Sequence, residues 1–522
     1  MKNQLFPLVA SLLCSSVIFA QEGQIPTPQW RPVYHFTPEK YWTNDPNGLI
    51  FIDGVYHLYN QQNPFENKWG HMSWGHATST DLLHWKHLPI AIPETIDQDT
   101  NWRFSGCVVK DAHNTSGFCE KDGCLVAVYT VDQPNLKKES QFVAYSNDGG
   151  MTYTNYASDP VIDLHKKDFR DPNVFWSDES RQWVMVVALP RDHAVRFYGS
   201  KDLKHWDLLS TFGGQGFITA AWECPFMIKL PVNGNSKIQK WVLMTSAGGK
   251  QRGPYMQYFV GDFDGRTFKN DNPPAKVLTV DEGDCFYAAI PWNNLPAAEK
   301  IYIGWMVPGP QETSPWKGQM SIPRDLGLEK TANGIRLIQN PTAVIKNKLA
   351  ELSGGSLLEK KDLRISNQEL SIDTGYATAG NAYWMQVEMV VEPGSRAGFK
   401  IAQKKGMDNK ATAETVITYD AAKHQLYVDR SKSGPGKIKA DRAVQTIDLE
   451  NASNKLSLEI LLDKSSLEIF INKGEKVLTT YVFPEDGSNA LSAFASHGTA
   501  EIKSLTIYNL SKINIDRSLS GK

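Results

Sequence analysis

The sequence predicts an all-β protein built as a five-bladed β-propeller followed by a C-terminal β-sandwich. Three observations predict it. Short runs rich in β-branched and aromatic residues fill the stretch 26–336, broken by turn residues and with scarcely any helical period. Val55-Tyr56-His57-Leu58-Tyr59, Trp183-Val184-Met185-Val186-Val187 and Trp241-Val242-Leu243-Met244 are examples. A weak repeat recurs at intervals of roughly fifty to seventy residues, the size of one propeller blade. Past residue 355 the texture changes to clean alternation of apolar and polar residues, the mark of strands with one buried face.

Taken in order, Met1-Lys2 and the apolar run from Leu5 to Phe19, ending at Ala20, read as a secretory signal over residues 1–20. No other stretch approaches the ~20 apolar residues of a membrane span, so an exported chain, periplasmic or extracellular, is expected. Cys14 would suit a lipid anchor, but Leu13 stands where lipoprotein signals carry a small residue. The propeller is expected over 26–340. Its repeat is seen in Thr80-Asp81-Leu82-Leu83-His84-Trp85 and Lys201-Asp202-Leu203-Lys204-His205-Trp206. Looser copies begin at Asn147 and Asp262, and Ile301-Tyr302-Ile303-Gly304-Trp305 starts a fifth sheet. Residues 341–355 read as a linker. The sandwich is expected over 356–515, on alternating runs such as Gln386-Val387-Glu388-Met389-Val390 and Ser466-Leu467-Glu468-Ile469-Phe470-Ile471, with a solvent loop at Arg430 to Lys439.

The chain has 522 residues, 55 Lys and Arg against 57 Asp and Glu, and a net charge of −2. That balance, with no basic tract, argues against nucleic acid. Beyond the leader five cysteines remain, of which Cys119 and Cys124 could close a small loop in an oxidising compartment; Cys107, Cys224 and Cys285 read as buried apolar residues. Five histidines between His57 and His87 lack a completing ligand set, so neither a metal nor another cofactor is expected.

Chemistry is suggested by three acids in unusual company. Trp42-Thr43-Asn44-Asp45-Pro46-Asn47-Gly48 puts a carboxylate in a Pro- and Gly-punctuated turn just before an apolar strand. Phe169-Arg170-Asp171-Pro172-Asn173 repeats the Asp-Pro-Asn order with an arginine beside the acid, and Trp222-Glu223-Cys224-Pro225 sets a glutamate between a ring and a small apolar neighbour. On three blades of one propeller these acids could converge on the axial funnel. A carboxyl group in apolar surroundings, or close to another carboxylate, resists ionising and can act as an acid, which fits Glu223. Asp171, beside Arg170, has reason to stay charged.

Together these stretches resemble glycoside hydrolase family 32, the invertases, levanases and inulinases, across most of the mature chain. The likeness extends to Trp69-Gly70, Trp74-Gly75-His76-Ala77-Thr78-Ser79, Phe104-Ser105-Gly106 and Trp316-Lys317-Gly318-Gln319-Met320. It implies hydrolysis of β-D-fructofuranosyl linkages with retention, Asp45 acting as nucleophile, Glu223 as general acid/base and Asp171 as transition-state stabiliser. It also implies a fructosyl subsite lined by Asn44, Gln61, Trp69, Phe104, Ser105, Arg170 and Trp316, with Asp281 supporting the acid/base. Departures fall at Thr43, where the family commonly has Met, at Cys107, where a small residue is usual, and at Cys285, where an acid is common; none touches a catalytic acid.

The expected substrate is a fructan, levan or inulin, with sucrose as a further candidate, cleaved from the chain end. Competing readings are an endo-levanase of the same family, an inverting arabinan-type hydrolase on the same propeller, and a non-catalytic fructan-binding protein. The carboxyl groups of a retaining pair stand about 5 Å apart, whereas an inverting pair needs about 6.5 to 9.5 Å to admit water.

Overall fold

The computed structural model describes residues 28–95, 100–121, 123–157, 160–248, 256–309, 311–372, 381–408, 410–434, 440–450 and 453–513. The expected leader lies outside them. Five antiparallel blades follow one another along the chain, opening with the strands Tyr41–Ile52, Trp102–Asp111, Arg170–Ser177, Glu223–Val232 and Phe286–Pro291. Each of these opening strands packs against its counterparts in the two neighbouring blades, the fifth against the first, so that they form a closed ring around one axis. A two-residue strand, Trp316–Lys317, leaves blade 5 to pair in parallel with Tyr41 and Trp42 of blade 1, fastening the end of the ring to its beginning.

The repeat visible in the sequence is one turn used four times, between the third and fourth strands of a blade. In blade 1 Asp81 Oδ1 accepts the backbone N–H of Leu83 and His84, and Trp85 Nε1 donates to Leu82 O. Asp202 does the same for Lys204 and His205 in blade 3, with Trp206 donating to Leu203 O. Asp148 and Asp264 hold the matching turns of blades 2 and 4. An aspartate that satisfies the turn's own donors needs little tertiary help, which is why this element carried a sequence signal.

Residues 341–355, expected as a plain linker, contain a helix, Ala343–Leu352. Ile345 and Leu349, four apart on one helical face, are fully buried in a core shared with Trp384, Leu461 and Phe470 of the sandwich. Among the described residues the sandwich carries ten strands from Leu358 to Asn509. Its last strand, Ala490–Asn509, pairs first with Arg396–Lys405 and then with Ala382–Val391. Between the two partners His497 and Gly498 take left-handed φ of 59° and 145°. The expected solvent loop at 430–439 is corrected at its start. Arg430 is 3% exposed, donates to Tyr481 O and pairs with Asp284 at 2.7 Å, because a strand residue here faces the propeller; residues 435–439 lie outside the described residues.

The two domains meet through buried charge. Arg324 of blade 5 pairs with Asp281 at 2.9 Å and with Glu468 of the sandwich at 2.5 Å, none of the three side chains being more than 1% exposed. His35, ahead of blade 1, bridges Asp463 and Glu468 at 2.8 and 2.9 Å. Burial alone would strip its proton, but the two carboxylates reverse that and raise the imidazole to about 9. Cys119 and Cys124 form a disulfide, and Cys107, Cys224 and Cys285 are buried thiols. Among the described residues no helix is long and apolar enough to cross a membrane.

Candidate active site

The ring does not by itself point side chains at its axis; bulges do. In every blade the register between the first and second strands breaks near the entry of the first, where two of its residues oppose one. The doubled residues are Asn44-Asp45, Phe104-Ser105, Asp171-Pro172, Cys224-Pro225 and Ala288-Ala289. A bulge bends the strand and re-aims its side chains. Here Asp171, Cys224 and Ala288 take left-handed φ of 66°, 46° and 51°, a conformation that non-glycine residues hold only when the surroundings impose it.

The acids lie around a cavity of about 370 Å³ lined by Asp45 of blade 1, Asp171 of blade 3 and Glu223 of blade 4. Ser105 Oγ donates to Asp45 Oδ2 at 2.7 Å, and Asn44 Nδ2 to Asp45 Oδ1 at 3.2 Å, with Asn44 itself fixed by Trp42 Nε1 at 2.8 Å. Cys224 joins two of the acids. Its N–H donates to Asp171 Oδ2 at 2.9 Å, while its Sγ stands 3.4 Å from Asp45 Oδ2 and 3.6 Å from Asp171 Oδ2. Burial raises the Asp45 carboxyl, and the charge of Glu223 adds to this, while the Ser105, Asn44 and Cys224 donors work against it.

Two electrostatic expectations are corrected. Asp171 was expected to stay charged beside Arg170, yet burial drives it up to about 8, more than Arg170 can offset, with Glu223 and Asp45 adding to the rise. The guanidinium is turned elsewhere. Its Nε and Nη2 donate to Glu223 Oε1 at 3.1 and 2.8 Å, and its Nη1 to Glu139 and Asp168, leaving Asp171 at 4.0 Å. Nor is Glu223 in apolar surroundings, since Arg170 holds one of its oxygens and the Tyr287 hydroxyl donates to the other, although it does stand close to other carboxylates, those of Asp45 and Asp171. Glu223 opens its strand at the edge of a bulge, so its sequence neighbours Trp222 and Cys224 do not fix what its carboxylate touches.

Of the expected subsite residues, Asn44, Gln61, Trp69, Phe104, Ser105 and Arg170 line the cavity with the three acids. Gln61 is the single residue opposite the blade 1 bulge, and its amide donates to Arg103 O at 2.8 Å. Trp69 is 52% exposed and meets Trp102 edge-to-face, 5.1 Å between centroids, on an aromatic wall that continues to Phe104. Trp316 and Asp281 are not among the lining residues. Trp316 is 2% exposed under the Arg31 guanidinium, because its strand closes the ring, and Trp305 supplies a cavity wall instead. Asp281 belongs to the buried Arg324 and Thr479 network, where its carboxylate has no access to a ligand.

Sequence reasoning missed Asp132, Glu139, Lys167, Asp168 and Trp305 in the lining, and Tyr287 behind Glu223. Tyr287 had a usable signal, since it precedes the bulge of blade 5 as Glu223 and Arg170 precede theirs. The others come from the far ends of second and third strands and from the loop before blade 3, where nothing local marks them.

Comparison with known proteins adds to this geometry. A family model described as glycosyl hydrolases family 32 N-terminal domain matches residues 35–341, and one described as glycosyl hydrolases family 32 C terminal matches 351–509. A levanase of Bacillus subtilis is 42% identical over 497 residues, covering 93% of this chain and 71% of its own. An extracellular exo-inulinase of Aspergillus niger is 35% identical over 92% of this chain and 94% of its own. The crystal structure of an exo-inulinase from Aspergillus awamori superposes with a TM-score of 0.82 at 33% identity, covering 92% of this chain and 98% of that one.

Proposed function

This chain belongs to glycosyl hydrolase family 32, and from that premise we propose that it is a retaining β-fructofuranosidase that removes terminal fructose from fructans. That it is a glycosidase follows from the family and its relatives. The choice of fructan rests on relatives named levanase and exo-inulinase. The observation that carries the mechanism is the meeting of Asp45, Asp171 and Glu223 in one cavity. Residues 26–340 are read as the catalytic unit. Export rests on the leader and on a relative named extracellular.

In this reading Asp45 attacks C2 of the fructosyl unit while Glu223 gives its proton to the departing glycosidic oxygen. The C2–O bond breaks as the Asp45 ester forms. Glu223, now a carboxylate, takes a proton from water, whose oxygen attacks C2 and expels Asp45. Ser105, Asn44 and Cys224 support the nucleophile as donors, offsetting part of what burial costs its anion. Asp171, with its carboxyl raised to about 8, can both donate to and accept from fructosyl hydroxyls as charge develops at C2. The Trp69, Trp102 and Phe104 wall gives the sugar an apolar face to rest on.

The test is digestion of levan, inulin and sucrose, with NMR of the first anomer formed. Free fructose as the first product, with retained configuration, is expected, and Asp45→Ala should lower turnover by at least about 10⁴-fold without loss of folding. Inverted product removes Asp45 from its role; oligomers as first products move the reading to endo-action.

A further inference from the structure

Glu139 stands out as a buried carboxylate with no part in the steps above. It lies at the start of the third strand of blade 2, Lys138–Ser146, yet its side-chain hydrogen bonds run to the entry of blade 3. Both of its oxygens accept from Arg170 Nη1, at 2.9 and 3.0 Å, and Oε2 also takes the Phe169 N–H at 2.8 Å. The residue is 5% exposed. Arg170 is thereby gripped at one edge by Glu139, with Asp168 at 3.1 Å, and from its other edge two N–H groups reach Glu223 Oε1.

We propose that Glu139 is a positioning residue for the acid/base, fixing the Arg170 guanidinium against Glu223 and sharing its positive charge. The proposal rests on the reading of Glu223 as acid/base. A guanidinium whose charge is divided among several carboxylates holds the Glu223 anion less tightly than one facing Glu223 alone, and a weaker hold on the anion favours keeping the proton on the acid. The charged and titratable groups around Glu139 and Arg170 are Asp132 of blade 2, Lys167 and Asp168 of the connection, Asp171 of blade 3 and Glu223 of blade 4. Burial lifts the Glu139 carboxyl to about 7, against the pull of Arg170 and the Phe169 N–H, so its charge is lost as pH falls through that value.

The experiment compares wild type, Glu139→Gln and Glu139→Asp on sucrose or inulin and on β-fructosyl fluoride, whose departing fluoride needs little protonation. Glu139→Gln should lower kcat on the natural substrates about tenfold or more and on the fluoride by much less, and move the alkaline limb of its pH profile down by roughly 0.5 to 1 unit. Glu139→Asp, which keeps the charge, should recover most of the profile. Equal losses on both substrate types with an unmoved profile, or no loss, overturn the proposal. Glu223→Ala with azide on the fluoride is the separate control. Azide rescue upholds the acid/base reading whatever Glu139 does, and absence of rescue brings down that reading itself.

Discussion

At the scale of single residues the site is a set of acids held against their own preferences. Asp171 is 5% exposed and faces two other carboxylates, with the Cys224 N–H at 2.9 Å and an Arg170 guanidinium 4.0 Å away to favour its anion. Its folded carboxyl titrates at about 8 instead of 3.8, so the folded chain binds that proton more tightly than the unfolded one. The stability this gives is fully present below pH 3.8 and is lost as pH rises through about 8. Replacing the acid with its neutral isostere removes the loss. Asp171→Asn should therefore raise the thermal midpoint at pH 8 by about 2 °C or more, leave it nearly unchanged near pH 4, and cut activity severely. Thermal scans across that range check it, and an Asn variant less stable than wild type at pH 8 refutes the assignment. Stability set aside at a working site is a common exchange.

At the scale of elements the decisive device is the bulge, repeated in five strands but filled differently in each. Blade 1 has a second irregularity between Asn47 and Ile50, and Gly48 sits in it with a φ of 53°. A Cβ there would come within 2.8 Å of Trp74 and Val108 and 2.9 Å of Tyr59, so both the dihedral and the packing require glycine. Gly48→Ala should destabilise by about 1–3 kcal/mol and lower kcat, since the strain falls three residues from Asp45. Denaturant titration with parallel kinetics measures both; normal stability in the variant would show that the strand can relax. The same element level explains the repeat, since each Asp-centred turn closes on itself while the bulges depend on a partner strand.

At the scale of the whole molecule, ring closure brings acids from three blades to one axis, and the sandwich braces the ring from outside. Arg324 is the crossing point, buried with Asp281, Glu468 and Thr479 and lying over the Phe286 ring at 4.2 Å. Removing one member of a buried ion network leaves the remaining charges without compensation. Arg324→Met should cost about 3–5 kcal/mol and loosen the domain contact, read as a lower thermal midpoint and faster amide exchange at Val477 to Thr480. A variant as stable as wild type would mean that the packing around the network, and not its charges, holds the domains together.

The sequence alone determined the all-β class, the propeller repeat, the change of texture at the sandwich and the run of motifs resembling family 32. These are local properties: strand alternation, turns that satisfy their own donors, and short segments whose residue order is distinctive. Tertiary structure alone decided which neighbours each acid meets. Arg170 adjoins Asp171 in sequence but grips Glu223 and Glu139, Trp316 fastens the ring instead of lining the cavity, and Asp281 faces the sandwich. The physical reason is that a strand turns successive side chains to opposite faces and a bulge resets that alternation, so contacts at the axis are set by register between blades, which no single segment encodes.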